Sequence, residues 1–310
     1  MSGPVSTADA PPEPAAPGPE AAPATVEVWA ARVADVGGLT VRRSLPKRAH
    51  RTVGAWCFAD HFGPAQVADA AMRIGPHPHI GLQTVTWLLE GEVVHHDSLG
   101  SEQSIRPGQL NLMTAGRGVA HAEETPVRTL GTMHGVQLWV AQPDATRDGD
   151  AAFEHHAELP RLEVDGAEAT VLLGALGATR SPARTDTPLV GADIAVRGPA
   201  ALPLDPSFEH GVLALDGEID VDGTPLRPGG FAYLGRSRDE LVLRGDGRVL
   251  LLGGEPFAET ILMWWNFVAR SRDEVDTAWA DWQAGDGRFG DVVSALPRIP
   301  APRPAWARTD

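Results

Sequence analysis

From Val26 onward, short runs rich in Val, Leu, Trp and Thr alternate with Gly, Pro and Asp: Val26 to Val33, Leu39 to Arg43, Thr84 to Leu89, Leu110 to Met113 and Val136 to Val140. Runs of this length bounded by turn residues predict β-strands, and many in series predict a sandwich or barrel. The texture returns at Thr170 to Leu173, Leu189 to Val196, Val212 to Leu215, Glu218 to Val221, Phe231 to Leu234, Leu241 to Leu243 and Val249 to Leu252. Between the two sets, residues 143–159 are charged and alanine-rich without alternation, which predicts a connection with room for a short helix. Near the end, Ser271-Arg-Asp-Glu274 has capping-box spacing, and Val275, Trp279 and Trp282 follow at helical intervals. A surface helix with an apolar stripe is predicted there.

The phrase Gly211-Val-Leu-Ala-Leu-Asp-Gly217-Glu-Ile followed by Pro228-Gly-Gly-Phe echoes Thr86-Trp-Leu-Leu-Glu-Gly91-Glu-Val followed by Pro107-Gly-Gln-Leu. Two copies of one barrel unit explain the echo. Residues 1–25 hold seven prolines among Ala, Gly, Glu and Ser, too little apolar surface to offset the entropy of ordering, and predict a disordered tail. The expected organisation is that tail, a first barrel over residues 26–142, the connection over 143–159, and a second barrel over 160–310 that ends in the helix and an irregular Pro-rich stretch from Pro297 to Pro304.

A chain of 310 residues favours two domains, as the repeat does. The excess of 41 acidic over 26 basic residues gives a formal charge of -15, which repels phosphate backbones and argues against direct nucleic-acid binding. The single cysteine, Cys57, cannot form an internal disulfide, and no basic segment followed by an apolar core opens the sequence, so a cytoplasmic location is expected. Apolar runs such as Val249 to Leu252 are strand-length, far short of a bilayer span, and no membrane association is expected.

Chemistry concentrates in two histidine-bearing pairs. In an extended strand His77 and His79, separated by one proline, project from the same face, and so do His121 and Glu123. Three imidazoles and a carboxylate form an N/O donor set suited to iron or a neighbouring first-row metal. The glycine-rich turn Gly116-Arg-Gly118 before the second pair permits the backbone to swing that strand end toward a barrel mouth. The second half holds only Glu209-His210 in comparable places, and no metal is expected in it.

Other polar residues have plainer readings. His95, His96 and Asp97 end a strand on alternating faces, so at most one imidazole can join His77 and His79, and surface or loop polarity is expected. His134 is a candidate donor orienting a ligand, and Asp60 and His61 are candidates for the site mouth. Cys57 reads as a small buried hydrophobe and Trp264, Trp265 and Phe267 as packing between the helix and a barrel. Arg42, Arg43, Lys47, Arg48 and Arg51 read as a solvated, salt-bridged surface.

The phrases Arg51-Thr-Val-Gly, Asp60-His-Phe-Gly-Pro64, His77-Pro-His-Ile-Gly-Leu82, His95-His-Asp-Ser-Leu-Gly100, Met113-Thr-Ala-Gly-Arg-Gly118, Gln137-Leu-Trp-Val140, Gly253-Gly-Glu-Pro256 and Trp264-Trp-Asn-Phe-Val268 resemble the pirin family of the cupin superfamily. The resemblance implies an all-β bicupin of two jelly-roll-like barrels, with one iron in the first barrel on His77, His79, His121 and Glu123. Gln83 lies close to where cupins usually carry a motif 1 glutamate, a departure that leaves Glu123 to supply the carboxylate. Members are described as quercetin 2,3-dioxygenase-like enzymes or as transcriptional co-regulators. The resemblance thus implies Fe2+, or another divalent transition metal, acting with O2 on a flavonol or similar small aromatic or enolic substrate. In that reading Glu123 is also the catalytic base. The alternative is a redox-sensing module, read by a protein partner without turnover.

Overall fold

The computed structural model describes residues 25–306, so the Pro-rich tail expected over residues 1–25 lies outside the described residues except for Thr25. The first half contains β1 (Glu27–Ala30), β2 (Arg32–Val36), β3 (Leu39–Leu45), β4 (Trp56–Gln66), α1 (Val67–Ala70), β5 (Arg73–His79), β6 (Leu82–Glu90), β7 (Val93–Asp97), β8 (Glu102–Ile105), β9 (Leu110–Thr114), β10 (Val119–Glu124), β11 (Thr132–Ala141) and β12 (Ala152–His156). The second contains β13 (Arg161–Val164), β14 (Ala167–Leu176), β15 (Thr179–Arg180), β16 (Leu189–Arg197), β17 (Ala200–Pro203), β18 (Glu209–Val221), β19 (Thr224–Leu226), β20 (Gly230–Gly235), β21 (Glu240–Gly254), β22 (Leu262–Trp264), β23 (Phe267–Ala269) and α2 (Arg272–Ala284).

The chain is all-β apart from the two helices, and its strands pair antiparallel. In the first half a four-stranded sheet, β5-β10-β7-β8, faces a seven-stranded one, β12-β9-β6-β11-β4-β3-β2. The second half is built on the path β1-β20-β18-β21-β16-β14-β13. The large sheet of the first half is buried on both sides, and its period of two separates the two roles. Val85, Trp87, Leu110, Leu112, Val136 and Leu138 pack against Leu172, Leu213 and Leu250 of the second half. Their neighbours Phe58, Asp60, Gln137 and Trp139 face a cavity inside the first barrel. Burial on both faces is why these strands appear as near-continuous apolar runs. The seam is also bonded: Trp56 donates to the carbonyls of Val190 and Gly253 at 3.0 and 3.2 Å, and Trp87 donates to Asp193 at 3.0 Å.

Sheet membership departs from chain order at both ends. The run Val26 to Val33 is two strands rather than one: β1 pairs with β20, setting Trp29 opposite Phe231, whereas β2 pairs with β3. Residues past Leu262 return to the first half, where Val268 donates to Ile80 at 3.1 Å and Ile299 to Pro76 at 2.8 Å. The stretch read as a bare connection carries β12, which pairs with β9.

The turn signals at Asp216-Gly217 and Gly245 sit within continuous strands, β18 and β21, which bend together with Ile219 opposite Gly245 and Gly217 at φ 70°. The predicted helix forms. Ser271 accepts from the Glu274 amide, Gly285 ends the helix in the left-handed region, and the buried stripe is Val275, Ala278 and Trp282, with Trp279 half-buried. Trp264, Trp265 and Phe267 pack in that same cluster.

Candidate metal centre

Strands β5 and β10 run side by side with His77 opposite His121 and His79 opposite Val119, and a bulge between His121 and Glu123 brings Glu123 level with Ile74. On the other side of β10, β7 sets Asp97 opposite His121 and His95 opposite Glu123. Local sequence explains the placement. The prolines of Gly75-Pro-His77-Pro-His79 hold β5 extended without donating to a ladder, and Gly81, at φ 67°, turns the chain where a Cβ would strike the Val268 carbonyl at 2.2 Å.

The three imidazoles converge. Ring centroids lie 4.3 Å apart for His77 and His121, 4.9 Å for His79 and His121, and 5.0 Å for His77 and His79. Their hydrogen bonds set the tautomers. His77 Nδ1 donates to the Gly75 carbonyl at 2.9 Å and His79 Nδ1 to the Asn266 carbonyl at 3.0 Å, which leaves both Nε2 atoms without protons. Asp97 Oδ2 accepts from His95 Nε2 at 3.1 Å, and His95 Nδ1 lies 3.3 Å from His121 Nδ1, so one of those two nitrogens donates to the other. In the tautomer that carries the His121 proton on Nδ1, His121 Nε2 is bare as well, and it lies 3.1 Å from His79 Nε2. Two lone pairs at that distance repel unless a cation stands between them. The donor set therefore fits a borderline transition metal.

Burial keeps the set neutral. It drives the His77 imidazole down to about 4 and those of His79 and His121 well below their ordinary value, with repulsion from neighbouring imidazoles adding to the effect. Burial pushes the Glu123 carboxyl up, against the opposing pull of His95 and of hydrogen bonds from Thr86 and Gln137. The Thr86 hydroxyl lies 3.1 Å from Glu123 Oε1 and 2.9 Å from Gln137 Oε1, and its one proton serves one of them at a time.

The four expected ligands do not gather in a single group. Ligand atoms of His77, His79 and His121 lie within 4.8 Å of one another, and Glu123 joins His121 and His95 in a second group of the same span. Both groups are buried in the first barrel, and they share His121. In the second barrel Glu209 is engaged elsewhere, accepting from the Gly54 amide at 2.7 Å and the Tyr233 hydroxyl at 2.8 Å.

The model of the family described as Pirin matches residues 38–140, and that of the Pirin C-terminal cupin domain matches residues 191–290. The chain belongs to the pirin family. It is 49% identical over 284 residues to a Pseudomonas aeruginosa protein named "Putative quercetin 2,3-dioxygenase", covering 89% of this chain and 90% of that one. It is 38% identical to a pirin-like protein of Caulobacter vibrioides, over 86% of this chain and 95% of that one. The crystal structure of a quercetin 2,3-dioxygenase from Acinetobacter baumannii superposes with a TM-score of 0.87 at 44% identity, covering 91% of this chain and 97% of the other. The two halves are thus the two cupin barrels of a pirin-type bicupin. Among the described residues no helix is long and apolar enough to cross a membrane.

Within the pirin frame the other polar residues fall into place. His95 and Asp97 are buried, not surface polarity: β7 turns both inward, where His95 stacks on Phe153 at 4.4 Å and Asp97 also accepts from the Leu99 and Ser101 amides. Those hydrogen bonds outweigh the effect of burial and hold the Asp97 carboxyl below its usual range. His134 touches none of the expected ligands; it meets His61 at 2.8 Å behind the site. Asp60 does reach the cavity wall, where Arg43 grips it through two hydrogen bonds of 2.7 Å. Gln83 faces away from the imidazoles and donates to Thr114 at 3.0 Å, so it stands in for no carboxylate here. Cys57 is buried, and burial pushes its thiol up to about 12. Thr86, Gln137 and the Asn266 carbonyl carry no sequence signal of their own, whereas the alternation His95-x-Asp97 on a strand is a signal.

A cavity of about 620 Å³ opens on His77, His79, His121 and Glu123. Its wall is aromatic on one side. Trp139 meets His79 edge-on at 5.3 Å and stacks on Phe58 at 4.1 Å, and Trp265 and Ile299, from the end of the chain, complete the lining.

Proposed function

We propose that this pirin-family protein is a cytoplasmic non-haem iron dioxygenase acting with O2 on a flavonol or a similar small enol or phenol. The observation that carries the reading is the convergence of three buried imidazoles, with Glu123 beside His121, on a cavity large enough for a bicyclic or tricyclic aromatic. His77, His79, His121 and Glu123 would hold the metal, which supplies Lewis acidity toward a substrate hydroxyl and redox chemistry with O2. The names borne by the P. aeruginosa and A. baumannii proteins support the same substrate class.

The chain's own residues supply the rest. Trp139, Phe58 and Trp265 offer flat faces against which an aromatic ring stacks. Glu123, once loosened from the metal, is the group to receive the substrate hydroxyl proton, and Thr86 steadies the carboxylate while it does so. Ile299 and Asn266 add to the lining of the cavity. Aerobic incubation of iron-loaded protein with quercetin, followed by absorbance, should show metal-dependent loss of the flavonol, reduced at least a hundredfold in Glu123→Gln, about what a positioned base contributes. No loss with iron, nor with Ni, Co, Mn or Cu, overturns the proposal.

A further inference from the structure

Behind the aromatic wall lies a second chamber of about 430 Å³, which shares Arg43, Phe58, Trp139 and Trp265 with the metal cavity. Four cations line it, Arg32, Arg43, Lys47 and Arg48, and no carboxylate does. Arg43 is neutralised by Asp60, whose charge also attracts Arg32 without bonding to it. Lys47 donates to the Ala30 carbonyl at 3.1 Å, a neutral partner, and among the described residues neither Arg32 nor Arg48 forms an ion pair.

The arrangement works against folding. Arg32 on β2 stands directly opposite Arg43 on β3, and like charges at paired positions destabilise a sheet. A chain of net charge -15 has carboxylates to spare, yet the one bonded to these four cations among the described residues is Asp60, on Arg43. Uncompensated cations held together beside an aromatic cavity concentrate anions locally despite the repulsive net charge. A neutral flavonol has no use for them.

Resting on the dioxygenase reading above, the geometry points to a substrate with two ends: an enol or phenol that reaches the metal ligands past Trp139, and an anionic group, carboxylate or sulfonate, seated between Arg32, Lys47 and Arg48. The aromatic body of the ligand spans the wall between the chambers.

The test compares quercetin with a quercetin sulfonated on its catechol ring, titrated by calorimetry into the metal-loaded protein without oxygen, so that binding is read apart from turnover. The sulfonate should bind about tenfold more tightly or better, the advantage shrinking toward unity at about 0.5 M NaCl, where charges are screened within a few ångströms. Arg32→Gln/Arg48→Gln, at two exposed positions, should remove the advantage, and Arg32→Lys/Arg48→Lys should keep most of it. Equal affinities, no binding of the sulfonate, or an advantage that survives the glutamine variant each overturn the inference. Admitting oxygen separates the two readings: an affinity gap without turnover sinks the dioxygenase and leaves the anion site, and turnover without a gap does the reverse.

Discussion

His95 Nδ1 lies 3.3 Å from His121 Nδ1, and Asp97 Oδ2 holds the far nitrogen of His95 at 3.1 Å. This chain of three buried groups fixes which nitrogen of His121 faces the cavity. Groups that orient a metal-binding imidazole typically contribute one to two orders of magnitude to metal affinity. His95→Ala and Asp97→Asn should therefore weaken metal retention about 10- to 100-fold in competition with a chelator, with the circular dichroism spectrum unchanged. Full retention in both variants would show that His121 needs no such support.

A divalent metal should raise the melting temperature. His79 Nε2 and His121 Nε2 stand 3.1 Å apart, and a cation that binds this pair only in the folded chain adds its binding energy to the stability of that state. At a free metal concentration a hundred times the dissociation constant the gain is about 2.7 kcal/mol. His77→Ala and His121→Ala should lose metal in elemental analysis and lose the thermal shift, while the metal-free proteins melt close to the parent.

The His61 and His134 pair sets a pH dependence of its own. Burial first, then repulsion from Arg42, holds His61 down at about 3, and burial chiefly holds His134 at about 4, against an ordinary value of 6.5. The unfolded chain binds these protons as pH falls below 6.5 and the folded chain does not, so their contribution is complete above 6.5 and lost toward 4. His61→Gln/His134→Gln should flatten the fall of stability across that window by on the order of a few kcal/mol. Parallel melting curves for parent and variant between those pH values would contradict this.

Gly191 is held to the smallest side chain by Trp56, whose ring lies 2.6 Å from where a Cβ would sit. Gly191→Ala should cost roughly 1 to 3 kcal/mol by overpacking the seam between the barrels. Denaturant unfolding reads the loss directly.

What was legible in the sequence followed the period of the strands. His77, His79 and His121 could be brought together because alternation fixes which side chains share a face, and the capping box located the helix to within a residue. Strand β5 was legible only as extended backbone around His77 and His79 and not among the β-prone runs, since two prolines and two histidines in Arg73–His79 lack β propensity; its partner β10 and the tail at Ile299 hold it extended. His95 escaped because His96 beside it made either face equally plausible, and only the pairing of β7 with β10 decides between them. The exchange of chain ends between barrels left no local trace, because it depends on contacts such as that of Trp29 with Phe231, far apart along the chain.

That exchange has a consequence for biosynthesis. The carbonyl that fixes the His79 tautomer comes from Asn266, and Trp265 and Ile299 line the cavity, so the centre is unfinished until the chain has been made past Ile299. A nascent chain that has made every expected metal ligand still lacks the Asn266 carbonyl and part of the wall beside them. Metal captured stably by this protein is thus a mark of completed synthesis, and a chain truncated before Asn266 should emerge with its histidines present and its site unable to hold what it captures.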